Sequence, residues 1–450
     1  MANHTDGESR LRRFAQAFRR EANPRPDLAT LLMAGLGERR RQSRLAMLPA
    51  IAMAAFVLVA GLGLAFGAMQ LRSLGHPSPT PPVSLITPTP SPSPSPTATP
   101  SPLATPSGAA PGSVPALATI QMVGPRLGWV VGSHAIFATT DGIRWTKQYA
   151  STEDFVGVDF ISSTTGWVVG GRTLLGTSDG GRTWLQLGEA AELIRSVHFI
   201  NATQGWGIAG GNQPLIMHGV LIPIGGGTVV VSNDGGRSWT NLQSPRDPQS
   251  VCFSDASHGW LAGASGIVYR SQNGGQNWTQ VLQMARSEPG LHGWARVECA
   301  GPSGAWVQWA PGGGAAGHSP YVIYATVNGQ SWRTVMAEPG TIGNSLPGVP
   351  AGPGSYPGSF SVVDAADAVF VGDTPPANAA SSMIATNGGA TLKSTGSIEG
   401  AWQTFDAAFV SMSSGWVLAV SINGEPVIVH TADGGYHWSQ QLILPRPPAG

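Results

Sequence analysis

Asp179, Asp234 and Asp433 each stand in the phrase S/T-x-D-G-G-x-x-W, at residues 177–184, 232–239 and 431–438. Looser copies carry Asp141, Asn273, Asn328 and Asn387, and the last of these ends in Leu392 where the others have Trp. A carboxylate two residues after a hydroxyl could ligate a cation or move a proton, but only where several such groups converge on one substrate. One group per repeat, in seven repeats, is spread around a fold and does not converge. The phrase has a local explanation instead. Asp or Asn accepts hydrogen bonds from backbone N–H groups just downstream, Gly supplies the positive φ of a tight turn, and Ser or Thr adds a hydroxyl. All seven positions are therefore read as structural.

A second set stands eight residues before each aromatic of a recurring Gly-Trp pair: Gln121, Asp159, His198, Cys252, Glu298, Val362 and Ala408. Asp159, His198 and Glu298 together invite an acid/base or metal reading; a wet, polar lining of an inner ring is the plainer one. No metal and no cofactor is expected. A third set could recognise a partner, because it falls on or near segments whose length varies between repeats: 211–227, 283–294, 309–320, 337–359 and 373–381. It comprises Met217, His218, Trp294, Trp309, His318 and Tyr356 as exposed anchors, with Arg172, Arg195, Arg246, Arg286 and Arg296 to receive an acidic partner.

The elements that would position these residues repeat with them. Each unit opens on an alternating run such as Val158-Asp159-Phe160, Val197-His198-Phe199 or Val251-Cys252-Phe253. A loop of near-constant length leads to a second strand at Trp129, Trp167, Trp206, Trp260, Trp306, Phe370 or Trp416; a third strand precedes the D/N-G turn and a fourth follows it. Twelve of the fifteen tryptophans occupy these two repeat positions, which assigns them to packing. Self-similarity at this period makes the fold a stack of like units.

The turn resembles the Asp box, or BNR repeat, of the sialidase and sortilin superfamily of β-propellers. Its pairing with Gly-Trp in each unit is most similar to the photosystem II stability and assembly factor-like propellers. The resemblance covers roughly residues 115–444. It implies an all-β, seven-bladed β-propeller of four-stranded antiparallel blades over 116–446, and a non-enzymatic module that binds a protein or assembly intermediate. An anchor and a stalk, described next, depart from a free factor of that kind and speak against a role in photosynthesis.

Charge is balanced at 25 Lys+Arg and 25 Asp+Glu, but residues 1–45 carry ten Arg against five acids. This basic cluster adjoins an apolar span and lies outside the repeats, so it is not the footprint of a nucleic-acid binder. Residues 45–71 contain no charged side chain and are long enough for one tilted membrane-spanning helix. Arg39, Arg40, Arg41 and Arg44 before it place the N-terminus inside and the repeats outside the cell membrane. Residues 1–44 are then a basic, partly helical cytoplasmic tail. Residues 72–115 form a Pro/Ser/Thr-rich linker; fourteen of the forty residues 76–115 are proline, a disordered, extended stalk reaching on the order of 120 Å. The expected partners are the lipid bilayer, through one helix, and a protein at the extracytoplasmic face.

Cys252 and Cys299 fall one register step apart in adjacent repeats. In a strand one step turns a side chain to the other face, so two small core residues is the leading reading, and a single bridge between them stays open. The leading functional expectation is a membrane-anchored extracytoplasmic binding module. A sialidase-like glycosidase is the alternative, but such enzymes need an early F/Y-R-I-P segment and Gly124-Pro125-Arg126-Leu127 is the nearest approach. A further alternative is a transmembrane sensor that signals through the basic tail.

Overall fold

The computed structural model describes residues 117–443 apart from 171–172, 188–193, 212–214, 218–219, 223–225, 285–292, 315–316, 340–346 and 375–378. The tail, the apolar span and the linker expected over 1–115 lie outside the described residues. No helix among the described residues is long and apolar enough to cross a membrane.

Seven antiparallel sheets follow one another along the chain. The first is built from β1 (Leu117–Met122), β2 (Gly128–Thr139) and β3 (Thr146–Asp154). The second holds β4 (Gly157–Phe160), β5 (Gly166–Gly170), β6 (Thr173–Thr177) and β7 (Leu185–Gln186), and the third β8 (Ile194–Phe199), β9 (Gly205–Ala209), β12 (Thr228–Ser232) and β13 (Thr240–Asn241). A two-stranded hairpin, β10 (Leu215–Met217) and β11 (Val220–Ile222), is inserted between β9 and β12. The fourth contains β14 (Pro248–Phe253), β15 (Gly259–Gly263), β16 (Ile267–Ser271) and β17 (Thr279–Gln283), and the fifth β18 (Trp294–Ala300), β19 (Gly304–Ala310), β20 (Tyr321–Thr326) and β21 (Arg333–Glu338). The sixth contains β22 (Tyr356–Val362), β23 (Ala368–Thr374), β24 (Ala379–Thr386) and β25 (Thr391–Ser397), and the seventh β26 (Gln403–Phe409), β27 (Gly415–Val420), β28 (Pro426–Thr431) and β29 (Ser439–Ile443).

The chain is thus a seven-bladed propeller of four-stranded meanders. In blade 1 the 12-residue β2 serves as both middle strands: its first half pairs with β1 and its second half with β3, on either side of His134, whose φ is 63°. Each blade is drawn from one continuous stretch, so no strand is shared to close the ring.

Both faces of the second strands are buried. Gly166–Gly170, Gly205–Ala209 and Gly259–Gly263 are buried at every residue, because each blade is covered by a neighbour on either side. That explains their continuous apolar runs. At four of the Gly-Trp pairs the Gly is needed because a ring lies over it: a Cβ at Gly166, Gly205, Gly259 or Gly415 would come within 2.2–2.4 Å of Phe160, Phe199, Phe253 or Phe409.

Those phenylalanines organise the interfaces between blades. Trp129 of blade 1 stacks on Phe160 of blade 2 with ring centroids 3.4 Å apart, Trp167 on Phe199 at 3.6 Å, and Trp206 on Phe253 at 3.8 Å. The same Phe meets the closing Trp of its own Asp box edge-on, as in Phe160–Trp184 and Phe253–Trp278. Such aromatic contacts contribute roughly 0.5–1.5 kcal/mol each beyond area burial. The indole N–H of one blade also reaches the box of the next: Trp167 Nε1 donates to the Gly235 carbonyl at 2.9 Å, Trp206 to Gly274 at 3.0 Å, and Trp416 of blade 7 to Gly142 of blade 1 at 3.1 Å.

Blade 6 corrects the alignment read from the sequence. Opposite β22, Val369 pairs with Ser361, and opposite β24 it pairs with Ile384. Ala368-Val369 therefore takes the Gly-Trp place; Phe370 is one residue beyond it, and Ser361, not Val362, holds the inner-ring position.

The cysteines also correct the expectation. Cys252 and Cys299 are bridged, with Cα atoms 5.8 Å apart. Cys252 lies opposite Trp260, and Cys299 occupies in blade 5 the position that Phe160, Phe199 and Phe253 hold in theirs. The face of blade 4 that looks at blade 5 and the face of blade 5 that looks back are opposite faces of equivalent sheets. One register step is therefore what brings the two thiols together.

Candidate functional site

The box carboxylates are engaged within their own turns. Asp179 Oδ1 accepts from the Thr183 N–H at 2.9 Å and from the Thr177 hydroxyl at 2.9 Å, while Oδ2 accepts from the Thr183 hydroxyl at 2.6 Å. The Thr177 oxygen in turn accepts from the Gly181 N–H at 2.9 Å, with Gly180 and Gly181 at φ 78° and 84°. Asp234 repeats this with Ser232 and Ser238. These bonds hold the Asp179 and Asp234 carboxyls below the usual carboxylate range although burial pushes the other way. In Asp433, bonds from the His437 side chain and N–H bring the carboxyl down to about 2. Asp141, Asn273 and Asn328 make the same downstream acceptor bonds. Asn387 does not. It sits at φ 56° and its side-chain amide donates to the Thr391 hydroxyl, because Ala385 stands where the other boxes have Ser or Thr.

Four of the boxes also pin the first loop of their own blade: the N–H groups of Gly180, Gly235, Gly274 and Gly434 donate to Thr164, Thr203, Ser257 and Ser413 carbonyls at 2.8–2.9 Å. The loops between strands one and two and those between three and four therefore share a face.

The inner ring is a set of stitches between consecutive blades. Gln121 donates to the Phe160 carbonyl and accepts from its N–H at 3.2 and 2.5 Å. Asp159 accepts from the Phe199 N–H at 2.5 Å, and His198 Nε2 donates to the Phe253 carbonyl at 2.8 Å. The disulfide takes the next place. Glu298 accepts from the Val362 N–H at 3.1 Å, and Ser361 from the Phe409 N–H at 2.9 Å. Ala408 cannot bond, so Asp406, two residues earlier, accepts from the Ile120 N–H at 3.1 Å and completes the circle. Burial raises the Asp159 and Glu298 carboxyls despite His198 and Arg296 nearby. The acid/base or metal trio of Asp159, His198 and Glu298 is thus divided among three interfaces. Among the described residues no group of three or more His, Cys, Asp or Glu side chains is placed to hold a metal ion.

Five of the recognition candidates, the expected anchors Trp294, Trp309 and His318 and the expected cations Arg195 and Arg296, are engaged within the fold. Trp294 and Trp309 are 6% and 0% exposed, packed in the cores on the two sides of blade 5. The two tryptophans stand on strands covered on both faces, so their neighbours Ala295 and Ala310 are buried as well, which loop-length variation could not reveal. Arg195 is 7% exposed and its guanidinium donates to the Gly226 carbonyl. Arg296 lies in the ring, paired with Glu298 at 2.7 Å and with Asp406 at 3.2 Å, bonded to the Ser359 hydroxyl and stacked over Phe360. His318 is paired with Glu338 at 2.9 Å. Arg246 is exposed and Tyr356 half-buried at the start of β22. Met217 stands in β10, and Arg172, His218 and Arg286 lie outside the described residues.

Sequence reasoning missed Asp406 and Asp373. Asp373, 1% exposed in β23, accepts from both the N–H and the hydroxyl of Thr404 in blade 7 at 2.7 and 2.8 Å, and burial pushes its carboxyl up to about 7. Two acids inside apolar strands were the available signal.

Strands, box turns and interlocking indoles define a seven-bladed β-propeller. Neither a protein-family profile nor a curated relative matches the chain. Among solved structures it is similar to YCF48 bound to a D1 peptide, at 17% identity over 65% of this chain and 81% of that one with a TM-score of 0.40. YCF48 from Cyanidioschyzon merolae is similar at 17% identity, 65% and 87% coverage and a TM-score of 0.42. An ancestral GH74 enzyme is similar at 15% identity over 74% of this chain and 47% of its own length, with a TM-score of 0.48. Likeness at this level concerns the fold alone.

Proposed function

We propose that the propeller is a non-catalytic binding module for a protein partner, held outside the cell by a membrane helix at 45–71 and a proline-rich linker at 72–115. One observation carries this reading: the box carboxylates and the polar ring are engaged in hydrogen bonds within and between blades. What varies from blade to blade is the face formed by the loops between strands two and three and between blades. Loops on a rigid scaffold serve recognition. Arg246, Tyr356 and the segments 211–227 and 337–359 are its contact residues.

The extracytoplasmic placement has support from the Cys252–Cys299 bridge, since such bonds persist in oxidising compartments. The YCF48 structure named above holds a peptide, in keeping with a protein ligand on this fold. Proximity labelling from the propeller in its native host identifies the partner. Gly-Ser replacement of 211–227 and 337–359 should then abolish its capture. Unchanged capture, turnover of a fluorogenic sialoside, or resistance of the propeller to protease added to intact cells would overturn the reading.

A further inference from the structure

The interface between blades 4 and 5 is built unlike the three before it. At the interfaces before it a Trp stacks on a Phe and donates its N–H to a glycine carbonyl; here Cys299 replaces the Phe, and Trp260, fully buried, has no acceptor for Nε1. Trp332 meets Trp260 edge-on, and the Arg270 guanidinium lies over the indole, 5.2 Å from its centroid. On the box face, beside this contact, a cleft of about 390 Å³ is lined by Arg270, Gln272, Asn277, Thr279, Val281 and Gln330.

Packing of a propeller blade does not require an arginine there. The residue opposite the Gly-Trp indole is Gly176 in blade 2, Val231 in blade 3, Ala325 in blade 5 and His430 in blade 7; only blade 4 places a permanent charge at the position, in Arg270. Its guanidinium is held in place by the indole and by a 2.8 Å bond to the Pro302 carbonyl, and its Nε is buried without an acceptor. Gly329 leaves room for it, since a Cβ would fall 2.5 Å from an Arg270 nitrogen. Among the described residues no carboxylate pairs with Arg270. The two flanking boxes carry Asn273 and Asn328, whereas blades 1, 2, 3 and 7 carry Asp, so two negative charges are missing from the places nearest this cation.

A fixed, uncompensated guanidinium surrounded by amides and a hydroxyl suits an acceptor-rich anion presented on a chain with its own amides. The geometry points to this cleft as a subsite for an acidic peptide: an Asp or Glu side chain on Arg270, with the flanking peptide groups on Gln272, Asn277 and Gln330. The peptide nature of the ligand rests on the proposed function; the site does not, because it lies on the box face, opposite the variable loops.

The test is fluorescence anisotropy with the full chain and a labelled decapeptide alternating Glu and Ala, against its Gln counterpart. At least tenfold preference for the Glu peptide is expected, with at least tenfold weakening by Arg270→Gln and partial retention by Arg270→Lys. Thr279→Trp, which fills the cleft from an exposed position and leaves the cation in place, should weaken binding comparably if Arg270→Gln does not fold. Equal binding of the two peptides, binding unaffected by Arg270→Gln or Thr279→Trp, or Arg270-dependent binding of oligogalacturonate with none of peptide would overturn the assignment. The assay needs no natural partner, so its failure leaves the loop-replacement result standing, and the reverse holds.

Discussion

The Asp406 carboxylate of blade 7 accepts a hydrogen bond from the Ile120 N–H of blade 1 at 3.1 Å, across 286 residues of chain. The same side chain accepts from the Ser359 hydroxyl of blade 6 at 2.7 Å and pairs with Arg296 of blade 5 at 3.2 Å. Four blades meet at one carboxylate that is 6% exposed. Since no strand is shared between the first and last blades, this node and the Trp416–Gly142 bond latch the ring beside the apolar packing of Leu117, Ile120 and Val130 against Trp416 and Leu418.

Asp406→Ala should therefore destabilise the propeller by about 2 kcal/mol, because it removes the acceptor of the Ile120 N–H and of the Ser359 hydroxyl and leaves Glu298 as the one carboxylate paired with Arg296. Asp406→Asn keeps an acceptor for Ile120 and should cost less than the alanine variant. Denaturant unfolding of both checks the order; equal stability of Asp406→Ala and the parent would show that the ring does not depend on this latch.

The indole N–H groups give an internal comparison. Trp167 Nε1 donates to the Gly235 carbonyl, while Trp260 Nε1 is buried with no acceptor. Trp→Phe removes similar volume at either site but a hydrogen bond at only one. Trp167→Phe should be more costly than Trp260→Phe by about 1 kcal/mol. The difference is read from paired unfolding curves, and a reversed order would contradict the assigned bonds.

The bridge between blades 4 and 5 closes a segment of 47 residues. Cross-linking over that length stabilises by about 4 kcal/mol in the chain-entropy account, and measured values commonly fall below this. Dithiothreitol should lower the melting temperature of the parent and leave that of Cys252→Ser unmoved. A parent indifferent to reductant would mean that the interface holds without the bond.

Asp373 has a folded-state pKa of about 7, raised by burial above the ordinary carboxylate value. A raised carboxyl binds its proton more tightly folded than unfolded, so its contribution is fully present below about pH 4 and is lost as pH rises through about 7. Asp373→Asn keeps an oxygen for the Thr404 N–H and hydroxyl and removes the titration. The stability of Asp373→Asn relative to the parent should climb between pH 4 and 7, by up to about 4 kcal/mol, and level off above. A flat difference across that range would place the Asp373 pKa near its unfolded value.

Much of the fold was legible because it is local. The Asp179 box closes its bonds within residues 177–183, so residue types and spacing suffice to write the turn, and seven such turns each followed by a strand suffice to count the blades. The Gly-Trp pairs were legible as packing for the same reason. The candidate site was much less so. Period-two alternation separates inside from outside only where one face of a sheet meets water, and here both faces are covered. Trp294 and Trp309 thus read like exposed aromatics beside variable loops and proved to be core.

What the amino-acid sequence determined by itself is the repeated unit: its strands, its self-bonded turn and the number of copies. What the tertiary structure decided is which residue of one unit meets which residue of the next, since that depends on the rotation between blades and on which sheet faces look at each other. Cys252 finding Cys299, Asp406 finding Ile120 and Arg270 left without an acid are all consequences of that rotation. No spacing along the chain encodes it, because the contacts join positions tens to hundreds of residues apart.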